Sequence, residues 1–263
     1  MRAVAVHGDA LVVTSRLWQT TATIVRGGGS GEGAAEAMLI DSPYFPDELE
    51  LLPEVMRQAG FEVTALLATH ADFDHLLGPL AFPGLALGMG ESSAERLRAR
   101  PGEPQRELRD ADAEHYVTRT APLSLGGVQS LPVPGALEIG SQEVELHPAG
   151  GHTVDGVAIL APHAGVLVCG DYLSDVEIPV VGHSLGAYRA TLERLSALLE
   201  RVATVVPGHG SPRPSAEARR TLEEDDAYLD ALERGDERPT LPPGRDSSRQ
   251  RAIHGENLRV AAG

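Results

Sequence analysis

The stretch Thr69–Gly78 reads THADFDHLLG and places two histidines and two aspartates close together, at His70, Asp72, Asp74 and His75. The apolar segment FEVTALLA, residues 61–68, precedes it and predicts a β-strand. The ionisable side chains therefore begin where a buried strand ends. Imidazole nitrogens and carboxylate oxygens are the ligands that first-row divalent metals take in proteins.

Three further segments combine a histidine or an aspartate with glycine at a predicted strand end: PAGGHTVDG (148–156), CGDYLSD (169–175) and VVPGHG (205–210). They add His152, Asp171 and His209 to the candidate ligands. Glycine lets the backbone turn sharply and approach other groups closely. The full set suits a pair of divalent ions, which could bind a water between them and deprotonate it near neutral pH.

In this order and spacing, the motifs resemble those of the metallo-β-lactamase fold superfamily over roughly residues 10–215. The pattern of this superfamily is H-x-H-x-D-H, followed by a histidine in G-H-T, an aspartate in a G-D turn and a histidine in a G-H turn. The resemblance implies an α/β protein with a four-layer αββα sandwich. We expect a metallo-β-lactamase-fold domain over 1–214 and a C-terminal helix and tail over 215–263.

The resemblance also implies a ligand set. His70, Asp72 and His152 would hold the first metal, Asp74, His75 and His209 the second, and Asp171 would bridge them. Two zinc ions are the expected cofactors, with iron or manganese as alternatives.

Asp72 departs from the family pattern, which usually has histidine at this position. The first site then has two histidines and one carboxylate, the ligand set of non-haem iron(II) centres. The added negative charge predicts a harder site that favours iron or manganese and makes a bound water less acidic. The variant H-x-D-x-D-H also resembles the nuclease domains of bacterial DNA-uptake proteins, so the aspartate is compatible with activity.

The expected function is a metal-dependent hydrolase in which a metal-bound hydroxide attacks a small ester, thioester or lactone. Asp74 would orient the nucleophile or relay a proton. Alternatives are a mononuclear iron dioxygenase of the same fold, a phosphodiesterase and a non-catalytic metal-binding protein. Tyr172 and His183 are candidate substrate-binding residues, and His254 could fold back over the site, although a free tail is the preferred interpretation.

A rival motif is GHSLG, residues 182–186, which matches the G-x-S-x-G nucleophile elbow of serine hydrolases. No HGGG-like oxyanion segment occurs upstream, and the best-placed downstream histidine, His209, already belongs to the metal set. Ser184 is instead expected to cap the N-terminus of a helix that begins at Leu185.

Composition limits the partners. The 263 residues carry a net charge of -16, and every basic residue is arginine. Such a chain repels nucleic acids and anionic membranes, so we expect a small-molecule substrate. Cys169 is the single cysteine, which excludes an internal disulfide, and no signal-peptide pattern or run of about 18 apolar residues occurs. The expectation is a cytoplasmic protein, compatible with a homo-oligomer.

Helical spacing of apolar residues predicts helices over 46–59 and 185–199, and charged helices over 91–116, with a break near 101–104, and over 215–234. The run GGGSGEG (27–33) predicts a flexible loop.

Overall fold

The structure is a computed structural model that describes residues 1–28 and 35–261. Most of the predicted loop over 27–33 lies outside the described residues.

The first sheet is built from the N-terminal half of the chain. Its strands lie in chain order: β1 (Arg2–His7), β2 (Ala10–Thr14), β3 (Thr21–Arg26), β4 (Ala35–Ile40), β5 (Phe61–Leu67), β6 (Leu87–Gly90) and β7 (Val128–Leu131). Neighbours from β1 to β4 pair antiparallel, and those from β4 to β7 pair parallel. Parallel pairing requires crossover connections. These carry α1 (Pro46–Gln58), α2 (Gly78–Ala81), α3 (Glu91–Ala99) and α4 (Glu103–Glu114).

The second sheet holds β8 (Gly135–Ile139), β9 (Gln142–Pro148), β10 (Val157–Ala161), β11 (Val166–Val168), β12 (Thr204–Val206) and β13 (Arg213–Pro214). Their spatial order is β13-β12-β11-β10-β9-β8. Because β10 pairs antiparallel with β9 and β11, and β11 pairs parallel with β12, the strands β9, β11 and β12 run the same way. Their carboxyl ends therefore meet at one edge. The helices of this half are α5 (Leu185–Leu199), α6 (Ser215–Glu233) and α7 (Ser248–Ala261).

Alternating side chains place each sheet between two apolar layers. In β10, Ile159 packs into the core between the sheets, whereas Leu160 packs under α5 and α6. In β3, Val25 faces the core between the sheets and Ile24 faces the layer under α1. Both faces of β10 are buried, and all of its residues, Val157–Ala161, are apolar. Three apolar layers separate four layers of structure, which confirms the predicted αββα sandwich.

Backbone hydrogen bonds join the sheets at the edge where the ligand motifs lie. The Val157 amide donates to the Thr69 carbonyl at 2.7 Å, and the Thr21 amide donates to the Gly208 carbonyl at 2.8 Å. These bonds hold the end of β5 and the start of β3 beside the edge of the second sheet.

All the predicted helices are present, with α3 and α4 on either side of the predicted break, and α5 has the predicted bounds. The preference for a free C-terminal tail is wrong, because α7 docks on the body of the protein with Gln250, His254 and Asn257 buried. Among the described residues, no helix is both long and apolar enough to cross a membrane.

Candidate metal centre

The first donor group lies between the end of β5 and the loops after β9 and β11. The His152 Nε2 atom is 3.2 Å from Asp171 Oδ2, and the His70 Nε2 atom is 3.8 Å from the same oxygen. Asp72 Oδ2 lies 3.5 Å from both of these nitrogens. The structure therefore brings together the four residues predicted for the first metal and the bridge.

The second donor group combines a short 3-10 turn over Phe73–His75 with the loop after β12. Asp74 Oδ2 lies 3.4 Å from His209 Nε2 and 3.7 Å from His75 Nε2. His75 is fully buried as a side chain, and Asp74 and His209 are nearly so. These are the three residues predicted for the second metal.

Asp171 faces both groups, as a bridging ligand must. Its Oδ1 atom is 3.2 Å from His75 Nε2, and its Oδ2 atom is 3.4 Å from His209 Nε2. A Cβ atom on residue 208 would overlap Asp171 Oδ1 and crowd the His75 ring, so only glycine fits there. The G-H turn thus shapes the space around the bridging carboxylate.

The outer nitrogen of each histidine is held by a hydrogen bond. His152 Nδ1 donates to the Val180 carbonyl at 2.9 Å, and His209 Nδ1 donates to the Trp18 carbonyl at 3.2 Å. Carbonyls only accept, so Nδ1 carries a proton, and Nε2, which faces the shared space, is the nitrogen left to bind a metal once it is deprotonated. His70 Nδ1 lies 3.0 Å from Thr69 Oγ1 and has the same orientation.

The inward atoms, by contrast, lack partners. Within the described part of the chain, Nε2 of His70, His75 and His152 and Oδ1 of Asp171 are buried and make no hydrogen bond. Buried polar atoms are ordinarily paired. Imidazole nitrogens and carboxylate oxygens that converge on one space fit divalent ions. One group comprises His70, His152 and Asp171, and the other comprises Asp74, His75 and His209.

The charges of the cluster are strongly coupled. Burial would raise the pKa of Asp171, but the surrounding histidines, His209 and His75 foremost, hold it well below its usual range. Burial would lower the pKa of His152, but Asp171 and Asp72 hold it well above the usual value. His209 follows the same pattern, with Asp171 as its main partner, and its pKa is raised to about 9. A cation binding here would displace imidazole protons, so its affinity rises with pH.

Asp41, which the sequence analysis did not single out, supports the second group. It follows β4 with a φ of 59°, and its Oδ2 atom lies 3.0 Å from His75 Nδ1. It also accepts from the Thr69 amide at 2.8 Å and the Thr69 hydroxyl at 2.9 Å. Its only sequence signal was an aspartate at a strand end next to β5.

Replacing Asp41 with asparagine is expected to weaken metal binding at the second group by about 10–100-fold, the usual loss for a partner of a ligating histidine. Asparagine has the same shape and tolerates positive φ, but the amide no longer offers His75 a carboxylate. Competition titration with a chromophoric chelator measures the change. An affinity equal to wild type in a folded Asp41→Asn protein would contradict the role, and exposed Asp47→Asn serves as control.

Asp72 has a cationic partner that the sequence analysis did not foresee. Arg96 on α3 places Nη2 2.7 Å from Asp72 Oδ1 and Nη1 3.0 Å from Asp155 Oδ1. The buried Asp155 also accepts from the Ala71 amide at 2.9 Å. A metal-bound water was expected to be less acidic because Asp72 adds a negative charge to the first site. Arg96 offsets that charge, so the reason for the expectation no longer holds.

The two candidate substrate-binding residues differ in position. Tyr172 is buried, and its hydroxyl accepts from the His152 amide at 3.0 Å and donates to the Ala149 carbonyl at 3.1 Å. Its prediction as a substrate contact is therefore wrong, because it supports the His152 backbone from the core. His183 is exposed and lines a cleft of about 660 Å³ beside Asp72 and His152.

His254 belongs to neither donor group. Its Nδ1 atom lies 3.0 Å from the Tyr228 hydroxyl, and its Nε2 atom lies 2.9 Å from the Asp236 carbonyl. Ser184 Oγ accepts from the Ala187 amide at 3.3 Å, which confirms the expected helix cap.

A family model for the metallo-beta-lactamase superfamily matches residues 15–209, so the chain belongs to this superfamily. Its members are mostly hydrolytic enzymes, and its fold typically binds divalent metals, usually zinc. No curated protein matches the sequence.

Solved structures with the same fold come from several proteins. A metallo-beta-lactamase from Pontibacter korlensis is 22% identical, with a TM-score of 0.59, and the match covers 84% of this chain and 97% of that one. A metallo-beta-lactamase family protein from Thermus thermophilus is 19% identical, with a TM-score of 0.66 and coverages of 88% and 83%. The inverting sec-alkylsulfatase Pisa1 from Pseudomonas sp. is 14% identical, with a TM-score of 0.73 and coverages of 98% and 49%. At these identities the likeness concerns the fold alone.

Proposed function

We propose that this protein is a dinuclear, zinc-dependent hydrolase that cleaves a small ester, thioester or lactone. The observation that carries the proposal is the pair of donor groups around Asp171. Among the described residues, the Nε2 atoms of His70, His75 and His152 face this space and make no hydrogen bond. When bound, divalent ions in such a site supply an activated water and polarise the substrate carbonyl.

The residues of the chain would hold the ions and transfer the proton. His70, Asp72 and His152 would hold one ion, Asp74, His75 and His209 would hold the other, and Asp171 would contribute a carboxylate oxygen to each. Asp74 would also orient the nucleophile or relay a proton to the leaving group. Arg96 fixes the second oxygen of Asp72, so that only Oδ2 faces the ligand space.

The cleft beside the first group supports a small substrate. Its volume of about 660 Å³ lies within the usual range for small-molecule sites. Val154 and Val180 offer apolar contact, while Arg100, His183 and Thr153 offer polar contact. A net charge of -16 disfavours polynucleotides as substrates. We also propose that the enzyme is cytoplasmic and that it can form a homo-oligomer.

The test combines metal analysis with a substrate panel. The untagged protein is purified without added metal, and its metal content is measured by mass spectrometry. Turnover is then measured with p-nitrophenyl acetate, an acyl thioester, a γ-lactone and bis(p-nitrophenyl) phosphate. Two zinc ions per chain, with ester or lactone hydrolysis that a chelator removes and zinc restores, is the expected result.

Other outcomes would overturn the proposal. One iron per chain with oxygen uptake would indicate the dioxygenase. Turnover of the phosphodiester alone would indicate a phosphodiesterase.

Replacing Ser184 with alanine is expected to leave hydrolysis unchanged, because its hydroxyl caps α5 and lies outside both donor groups. Loss of the cap should lower the free energy of unfolding by about 1 kcal/mol. Steady-state kinetics and urea unfolding measure the two effects. Inactivity of a folded, metal-loaded Ser184→Ala protein would instead support the serine hydrolase.

A further inference from the structure

We propose that the C-terminal helix α7 is a positioning element of the metal site, and that Asn257 and Gln250 set the orientation of His152 from behind. The inference rests on the proposed metal site. It starts from segment 178–181, which has no regular secondary structure, so that its backbone polar groups need partners from elsewhere.

One side of this segment holds His152. The Val180 carbonyl accepts from His152 Nδ1 at 2.9 Å, which fixes the plane of the ring and directs Nε2 towards Asp171. Next along the chain, the Gly182 amide donates to the His152 carbonyl at 2.9 Å. The segment and the residue that follows it therefore hydrogen-bond to both the side chain and the backbone of His152.

The other side of the segment is held by α7. Gln250 Oε1 accepts from the Ile178 amide at 2.7 Å, and Asn257 Oδ1 accepts from the Val181 amide at 2.8 Å. Asn257 Nδ2 donates to the Pro179 carbonyl at 2.6 Å. Three backbone groups that flank Val180 are thus fixed by two side chains of one helix.

The burial pattern of α7 separates this role from ordinary core packing. Its buried residues Gln250, His254 and Asn257 form a polar stripe one helical face wide, where a packed helix commonly buries apolar residues. Asn257 is 1% exposed, and its Nδ2 atom also lies 2.8 Å from the Tyr228 hydroxyl. Among the residues that the structure describes, the Asn257 side-chain amide therefore makes all its hydrogen bonds to segment 178–181 and to the Tyr228 hydroxyl.

The geometry assigns a testable consequence. Without Asn257, Val180 can shift, and His152 loses its fixed orientation while His75 and His209 keep theirs. Outer-shell partners of metal-bound histidines contribute about 10–100-fold in affinity, and we expect about tenfold here because the effect passes through Val180. The loss should concern the first ion and leave the second unchanged.

The experiment uses the full chain, with Asn257→Leu as the main variant and Gln250→Met, which removes a single bond, as the milder one. Metal-stripped protein is titrated with zinc against a chromophoric chelator, and with cobalt(II), whose visible spectrum reports ligand geometry. In the metal-free protein, the His152 Nδ1 proton is followed by nuclear magnetic resonance. Arg259→Gln, at an exposed position of the same helix, controls for the mutation itself.

A second control, Leu258→Ala, loosens the apolar packing of α7 without removing the amide bonds. We expect weaker first-ion binding, an altered cobalt spectrum and faster exchange of the His152 proton in Asn257→Leu and, to a smaller extent, in Gln250→Met. Titrations and spectra of both variants that match Leu258→Ala would overturn the inference. A wild-type protein that binds no metal would instead refute the proposed function.

Discussion

Asparagine in place of Asp171 is expected to lower the affinity for both ions and to reduce hydrolysis by more than about 100-fold, beyond the range typical of outer-shell partners. The carboxylate faces histidines of both groups, with contacts of 3.2 Å to His152 and to His75. An amide offers one neutral oxygen, so it cannot serve both groups as a charged bridge. Metal content and steady-state kinetics measure the two losses.

Asp230→Asn is the matched control, because Asp230 is an exposed residue of α6 that pairs with Arg189 of α5. A folded Asp171→Asn protein with two ions per chain and wild-type turnover would refute the bridging role.

A marked loss of stability at alkaline pH is expected for the metal-free protein. The pKa of His209 is raised from 6.5 to about 9, mainly by Asp171 against the opposing effect of burial. A group with a raised pKa stabilises the fold fully below its unfolded pKa and loses that effect as pH rises through the folded value. For His209 the loss between pH 6.5 and about 9 amounts to about 3 kcal/mol.

Urea unfolding at pH 6.5 and pH 9.5 in the presence of a chelator measures this loss. In His209→Gln the decrease should be smaller by about 3 kcal/mol, whereas in His7→Gln, which changes an exposed ring, it should equal that of wild type. An equal decrease in wild type and His209→Gln would contradict the prediction.

The donor residues could be predicted from the sequence because they stand in short motifs at strand ends. Asp72, Asp74 and His75 are fixed by one turn, and strand ends at a common edge bring His152 and His209 to it. The fold was predicted from the resemblance that these motifs, in this order, bear to the metallo-β-lactamase superfamily.

The supporting contacts left weaker signals. Val180 and Trp18 act through carbonyl oxygens, which any residue type provides, so no pattern could reveal them. Arg96 is one of several arginines on the charged segment 91–116, and only the placement of α3 shows that it pairs with Asp72. The stripe on α7 resembles a solvated face until the helix is docked.

The division of the ligands between the two sheets has a consequence for the stability of the folded protein. Residues 70–75 follow β5 of the first sheet, whereas His152, Asp171 and His209 follow strands of the second. A chelated ion would act as a reversible cross-link between distant parts of the chain, and clips that close long loops restrict the unfolded chain most. Free metal at 100 times its dissociation constant would add about 2.7 kcal/mol of stability. The cellular metal supply would thereby set the lifetime of the folded protein as well as its turnover.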